Sequence, residues 1–260
     1  MPVSNVKGAS DMAGEEAGRE NARVAGRENL GAAPPGGGCS IRFESVSKIY
    51  QMGRESVRAL DGLNLTIAAG EFVSIMGASG CGKSTLLHLA AGLDRASSGN
   101  ILIDGKSISD WPDDELTLFR RRRAGFIFQF FNLLPNMTAR ENAALPLMME
   151  GMSASGWKQE ADRWLQRIGL SGRAGHYPSE LSGGQMQKVA IVRALIGGPS
   201  LILADEPTGN LDSKSGEEIM SIIRGLAAEV AATVVLVTHD EGVAAYSGRT
   251  VVMKDGRIMG

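Results

Sequence analysis

The rhythm of apolar and polar residues changes several times along this chain. Residues 41–50 and 59–67 alternate apolar and polar side chains, the period-two pattern of half-exposed antiparallel strands. Residues 72–76 form a nearly continuous apolar run that stops at a glycine-rich loop, and residues 84–91 then take helical spacing. The runs 201–204 and 233–237 are apolar on both faces, as strands in the middle of a helix-covered parallel sheet are. Residues 101–104 and 250–258 predict hairpin pieces with Asp-Gly turns, at Asp104-Gly105 and Asp255-Gly256. From about 132 to 195 the period is helical. Two helix starts in that stretch have capping-box form, Thr138 with Glu141 and Ser182 with Gln185. Together these elements predict an α/β fold with a mixed sheet, an antiparallel β subdomain and a helical insertion over approximately 132–195. No internal repeat is visible, so the chain holds one such unit over 40–260.

Residues 1–39 fall outside this pattern. They mix Gly, Ala, Glu and Arg, hold no aromatic residue and end in Pro34-Pro35-Gly36-Gly37-Gly38. Nothing there forms an apolar face worth its ordering entropy, so a disordered arm is expected. The arm also lacks the apolar centre of a signal peptide.

Composition narrows the function class. The chain has 260 residues, 43% hydrophobic and 22% charged, with a formal net charge of -2, which is ordinary for a globular protein. A basic average, the footprint of a nucleic-acid binder, is absent, although Arg120, Arg121, Arg122 and Arg123 form one dense basic run. No stretch approaches the roughly 18 apolar residues of a membrane span. A role at a membrane therefore needs a spanning partner. Of the two cysteines, Cys81 lies in the glycine-rich loop and Cys39 in the expected arm, which argues against a structural disulfide.

The chemistry concentrates in three places. Gly77-Ala78-Ser79-Gly80-Cys81-Gly82-Lys83-Ser84-Thr85 satisfies the phosphate-loop pattern between a predicted strand and a predicted helix. Its glycines let backbone N–H groups face the α- and β-phosphates, Lys83 is placed to reach the β- and γ-phosphates, and Ser84 to ligate Mg²⁺. A plain glycine-rich turn is the alternative, and the placement between strand and helix speaks against it. The apolar run 201–204 ends in Asp205 and Glu206. With a phosphate loop present, Asp205 suits Mg²⁺ and Glu206 suits polarising the attacking water. Taken alone, the two acids equally suit capping the next helix. Leu181-Ser182-Gly183-Gly184-Gln185 opens a helix with a second anion-binding geometry. A second phosphate-facing loop makes sense if two chains meet head to tail, each completing the other's site.

That last motif resembles the signature of the ATP-binding-cassette (ABC) ATPases, and further family elements follow in order over about 41–260. Tyr50 corresponds to the aromatic residue that stacks on adenine. Gln129, ending Gly125-Phe126-Ile127-Phe128-Gln129, resembles the Q-loop glutamine that senses Mg²⁺ and the attacking water. Gly209-Asn210-Leu211-Asp212 matches the D-loop, and His239 the switch histidine that contacts the γ-phosphate. Outside the resemblance each has a plain alternative: a strand-edge aromatic, a loop amide, a helix cap at Asp212 and a solvated histidine. Met186-Gln187-Lys188 departs from the family's usual Gln-Gln-Arg, a change that bears on the dimer interface. No C-terminal regulatory domain is expected.

The stretch Phe130-Phe131-Asn132-Leu133-Leu134-Pro135, with Thr138-Ala139-Arg140-Glu141-Asn142, is similar to one bacterial branch. That branch holds the lipoprotein-releasing ATPases, the macrolide- and peptide-antibiotic exporters and the cell-division cassette. The resemblance implies an ATPase with ATP and Mg²⁺ as cofactors, working as a homodimer or heterodimer of cassettes. It further implies separate transmembrane permease subunits, no nucleic-acid partner and a peripheral place on the cytoplasmic face of the inner membrane. In the family the Q-loop and the following helices form the socket for the permease. Leu145, Leu147, Met148, Met149 and Met152 supply an apolar stripe there, or else fill the helical core. Export or extraction is the leading reading. Signalling to a cell-wall enzyme is the second, and a soluble DNA-repair or ribosome-associated ATPase the third.

Overall fold

The computed structural model describes residues 37–53 and 55–259, and nearly all of the expected arm lies outside them. Two sheets organise the described residues. The first is antiparallel and built from β1 (Ile41–Met52), β2 (Glu55–Ile67), β4 (Ser98–Ile103) and β5 (Lys106–Ser107), in the order β2-β1-β4-β5. The second has the order β10-β9-β3-β8-β7-β6. Its strands are β3 (Phe72–Met76), β6 (Ala124–Ile127), β7 (Leu201–Asp205), β8 (Thr233–Thr238), β9 (Arg249–Lys254) and β10 (Arg257–Met259). All its neighbours pair in parallel except β10, which returns antiparallel on β9.

The second sheet is buried on both faces because its strands carry apolar side chains at successive positions. Ile202, Ala204, Val234 and Leu236 point into one cluster, while Leu201, Leu203, Val235 and Val237 point into the other. The first cluster is roofed by α3 (Ala139–Met149), α4 (Ala154–Arg167), α5 (Gly183–Leu195) and α6 (Ser213–Glu229). The second holds α1 (Lys83–Ala90), α2 (Asp113–Arg122) and the inner face of the antiparallel sheet, including Ile41, Phe43, Ile101 and Ile103. Each fully buried aliphatic side chain in these layers contributes about 1.5–3 kcal/mol of transfer free energy. A last short helix, α7 (Glu241–Ala244), follows β8. The helices α3 to α5 fall within the stretch 132–195, and their Trp157, Trp164, Val189 and Val192 share the cluster that covers β7 and β8.

One expectation needs correction. Cys39 is a core residue, not part of a flexible segment: it is fully buried, its N–H donates to the Ser200 carbonyl, and its carbonyl accepts from the Thr233 hydroxyl. Burial pushes its thiol up to about 11. Both cysteines are free. The basic run is consumed by local partners. Arg120 donates to the Gly92 carbonyl, Arg121 and Arg122 pair with Glu150, and Arg123 pairs with Asp104 and bonds Ser200.

Candidate active site

The register of the parallel strands brings the chemistry to one edge. Met76 lies level with Thr238, and Asp205 with Val237, so β3, β8 and β7 end side by side. Residues that follow adjacent parallel strands share a crevice at their carboxyl ends, and ligands bind there in open α/β sheets.

Gly77 to Gly82 leave β3 as a loop and enter α1 through Gly82, whose φ of 105° is closed to other residues. This helix start has no side-chain cap and no acid in its first turn. By contrast, α3, α4, α5, α6 and α7 are capped by Thr138, Ser153, Ser182, Asp212 and Asp240. The first-turn N–H groups of α1 are thus left for an anion. Close packing holds the loop from behind. A Cβ on Gly77 would run into the Met253 carbonyl and reach 2.6 Å from Cys81 Sγ, and one on Gly82 would strike the Ala59 carbonyl. The turn of the last hairpin closes this contact, with Gly256 N–H donating to the Cys81 carbonyl at 3.0 Å.

Lys83 is buried, and its ammonium donates to the Gly77 and Ala78 carbonyls at 2.7 and 3.0 Å. Ser84 Oγ donates to Asp205 Oδ1 at 3.1 Å, joining the phosphate loop to the tip of β7. Burial pushes the Asp205 carboxyl above its ordinary range, the Ser84 hydroxyl and His88 oppose the shift, and Glu206 adds to it. A hydroxyl and a single carboxylate are hard oxygen donors of the kind Mg²⁺ takes when water and phosphate fill its remaining positions, so the pair fits that ion.

Glu206 follows with φ 44°, an uncommon conformation for a residue with a Cβ. Its N–H donates to the Val237 carbonyl at 3.0 Å, and its Oε1 lies 2.9 Å from His239 Nδ1 at the end of β8. His239 is otherwise largely exposed, with 68% of its side chain accessible.

The remaining predicted residues surround this centre at different distances. Tyr50, on β1, donates its hydroxyl to Asp94 Oδ2 at 2.8 Å and also neighbours the Thr85 hydroxyl, which brings it to the start of α1. Lys48 lies 4.8 Å from the Tyr50 ring centre and pairs with Asp94. Gln129 lies against the D-loop: a Cβ on Gly209 would come within 2.8 Å of its Nε2, and Asn210 donates to its carbonyl. Its side chain makes no hydrogen bond to Ser84 or Asp205, the other two residues expected to serve the metal. Asp212 caps α6, accepting from Ser215 N–H and Ser215 Oγ. The structure does not bring Ser182, Gly183, Gly184 and Gln185 into contact with the phosphate loop. Ser182 is exposed and, with Gln185, forms the capping box of α5, while Gly183 packs toward Leu211 and Phe131.

The family description "ABC transporter" matches residues 60–209, more than half of the chain. This protein belongs to the ABC transporter family. It is 49% identical to the ABC transporter ATP-binding protein MJ0796 of Methanocaldococcus jannaschii, over 84% of this chain and 94% of that one. It is 43% identical to the lipoprotein-releasing system ATP-binding protein LolD of Chromohalobacter salexigens, over 84% of this chain and 92% of that one. The macrolide export ATP-binding/permease protein MacB of Burkholderia thailandensis is 46% identical over 85% of this chain, which spans only 34% of that longer protein. A solved dimer of MJ0796 in a post-hydrolysis state with ADP and Pi superposes with a TM-score of 0.79 at 46% identity, covering 85% of this chain and 97% of that one. The chain is accordingly an ATP-hydrolysing, ATP-binding subunit of an ABC transporter. Among its described residues no helix is long and apolar enough to cross a membrane.

For this ABC subunit, reasoning from sequence missed Asp94 and Arg193 and named Gln187 only within a motif bearing on the dimer interface. Asp94 anchors Tyr50. Arg193 donates to the Phe131 and Asn132 carbonyls at 2.8 and 2.5 Å, in a turn where both residues have positive φ. Gln187 is fully buried beneath the Q-loop. A polar side chain among apolar residues of a helix face was the only available signal for the last two. The apolar stripe divides. Leu147 and Met148 pack on the core, whereas Leu145 and Met149 line a groove of about 400 Å³ with Phe126, Phe128, Pro146 and Arg193. Met152 is exposed.

Proposed function

We propose that this cassette hydrolyses ATP in the crevice at the ends of β3, β7 and β8 and that dimer closure drives a separate permease. The carrying observation is the convergence there of an uncapped phosphate loop, the Ser84–Asp205 pair and the Glu206–His239 pair. In this reading the loop N–H groups and Thr85 bind the phosphates, and the Lys83 ammonium leaves its two carbonyls for the β- and γ-phosphates. Ser84 and Asp205 would hold Mg²⁺, with Gln129 as a further ligand, and the ion when bound would neutralise phosphate charge. Glu206 accepts the proton of a water whose oxygen attacks the γ-phosphorus as the bond to the β-γ bridging oxygen breaks, giving ADP and phosphate. His239 contacts the γ-phosphate and orients Glu206. Tyr50 stacks on the adenine.

Ser182, Gly183, Gly184, Gln185 and Asp212 serve the nucleotide of the second cassette, which explains why they stand free of this chain's own phosphate loop. The permease seats in the groove lined by Leu145, Met149 and Phe128, which places the subunit on the cytoplasmic face of the membrane. Its likeness to LolD and MacB supports extraction or export as the work done. Glu206→Gln keeps the shape and removes the base. We expect it to bind ATP with affinity within about twofold of wild type, lose at least a hundredfold in turnover and accumulate as an ATP-bound dimer on size-exclusion chromatography. Turnover at the wild-type rate would sink the assignment of Glu206.

A further inference from the structure

Gln187 sits in the second turn of α5, five residues after Ser182, and is fully buried. Its Nε2 donates to the Pro207 carbonyl at 2.7 Å and to the Phe128 carbonyl at 3.4 Å. Its Oε1 has no donor among the described residues. These contacts fix the orientation of the carboxamide, because exchanging its oxygen and nitrogen would set an acceptor against two carbonyls. Both N–H donors are thus committed, and the buried oxygen is left unpaired. A buried unpaired acceptor is destabilising, so the carboxamide keeps its bond to the Pro207 carbonyl at the cost of an unsatisfied oxygen of its own.

The two carbonyls give the arrangement its meaning. Phe128 immediately precedes Gln129, and Pro207 immediately follows Glu206. The same helix holds the Q-loop a second time through Arg193, and the D-loop's Asn210 holds the carbonyl of Gln129. We propose that Gln187 is a positioning residue: it sets the spacing between the backbones that carry Gln129 and Glu206, and ties both to the helix that presents the signature loop. A displacement of α5 then moves both water-handling residues together. This inference rests on the roles proposed above for Gln129 and Glu206.

Gln187→Met tests it in the full-length chain. Methionine matches the length, suits a helix and a buried site, and removes both donors together with the unpaired oxygen. The variant exchanges one unpaired acceptor, Gln187 Oε1, for another, the Pro207 carbonyl. The expected result is therefore a kcat for ATP hydrolysis reduced about tenfold, with KM for ATP within about twofold of wild type and a chain still fully folded at the assay temperature by its unfolding curve. A residue that only filled space would leave kcat unchanged, or lower it in step with the folded fraction. Gln187→Glu provides a second reading. As a neutral acid it keeps one donor for Pro207, and as a carboxylate it faces two carbonyls. Its kcat should therefore fall at alkaline pH along a limb that wild type and Gln187→Met lack. A Gln187→Met kcat within twofold of wild type, or no extra limb in Gln187→Glu, overturns the proposal. Glu206→Gln run in parallel separates the failures: full turnover there removes the reading of Glu206, whereas an inactive Glu206→Gln beside a fully active Gln187→Met removes only the role of Gln187.

Discussion

Lys83 keeps its ammonium folded onto the Gly77 and Ala78 carbonyls, in a side chain only 7% exposed. A buried cation needs such partners, and the two carbonyls supply them. The same contacts brace the loop, so Lys83→Ala removes both the proposed phosphate ligand and a brace. We expect its ATP hydrolysis to drop below detection and its ATP affinity to fall at least tenfold by equilibrium titration. Wild-type turnover in this variant would exclude the phosphate-loop assignment. Single residues of this kind were legible because their chemistry travels with local spacing: Lys83, Ser84, Asp205, Glu206 and His239 each follow a strand with a recognisable pattern. Their long-range partners were not. Asp94, 44 positions beyond Tyr50, looks like any loop acid until the fold brings the two within hydrogen-bond reach.

Among the elements, the capped helices were the clearest. Thr138 accepts from Glu141 N–H, and the Glu141 carboxylate accepts from Thr138 N–H and Oγ1. The Thr138 backbone N–H, then its hydroxyl, holds the Glu141 carboxyl below its usual range. A lowered folded-state value means that the ionised form stabilises the fold. That contribution is present above the ordinary glutamate value and is lost as pH falls through the lowered one. Thr138→Ala should cost about 1 kcal/mol at pH 7, read from the urea midpoint, and the cost should shrink as the pH drops below about 4. An unchanged midpoint at pH 7 would show that α3 does not depend on this cap. Other elements carried too little pattern to read. The strand β6 has four residues with two buried, and α2 buries only Leu116 and Phe119 beneath a polar, arginine-rich surface. Their place comes from the elements they pack against, β7 for the one and the antiparallel sheet's cluster for the other.

At the scale of the whole molecule, the α/β class and the two kinds of sheet followed from the switch between alternating and continuous apolar runs. The seating of Cys39 did not. The residues before it are glycines and prolines, and its backbone bonds Ser200 and Thr233, more than 160 positions away. A second long-range seat has a practical consequence. The last hairpin bears no nucleotide-binding motif, yet Gly256 N–H is bonded to the phosphate loop at Cys81, and the Gly256 carbonyl accepts from Asp61 N–H. An amide in that place makes a native spectroscopic probe. In a ¹⁵N-labelled sample the Gly256 resonance should shift on titration with a non-hydrolysable ATP analogue, whereas the amide of Gly172, exposed in the short 3-10 helix Ser171–Arg173, should stay in place. A Gly256 signal indifferent to nucleotide would mean that the loop fills without pulling on its support. If it responds, occupancy can be followed from behind the site, with no label on the nucleotide and no substitution in the protein.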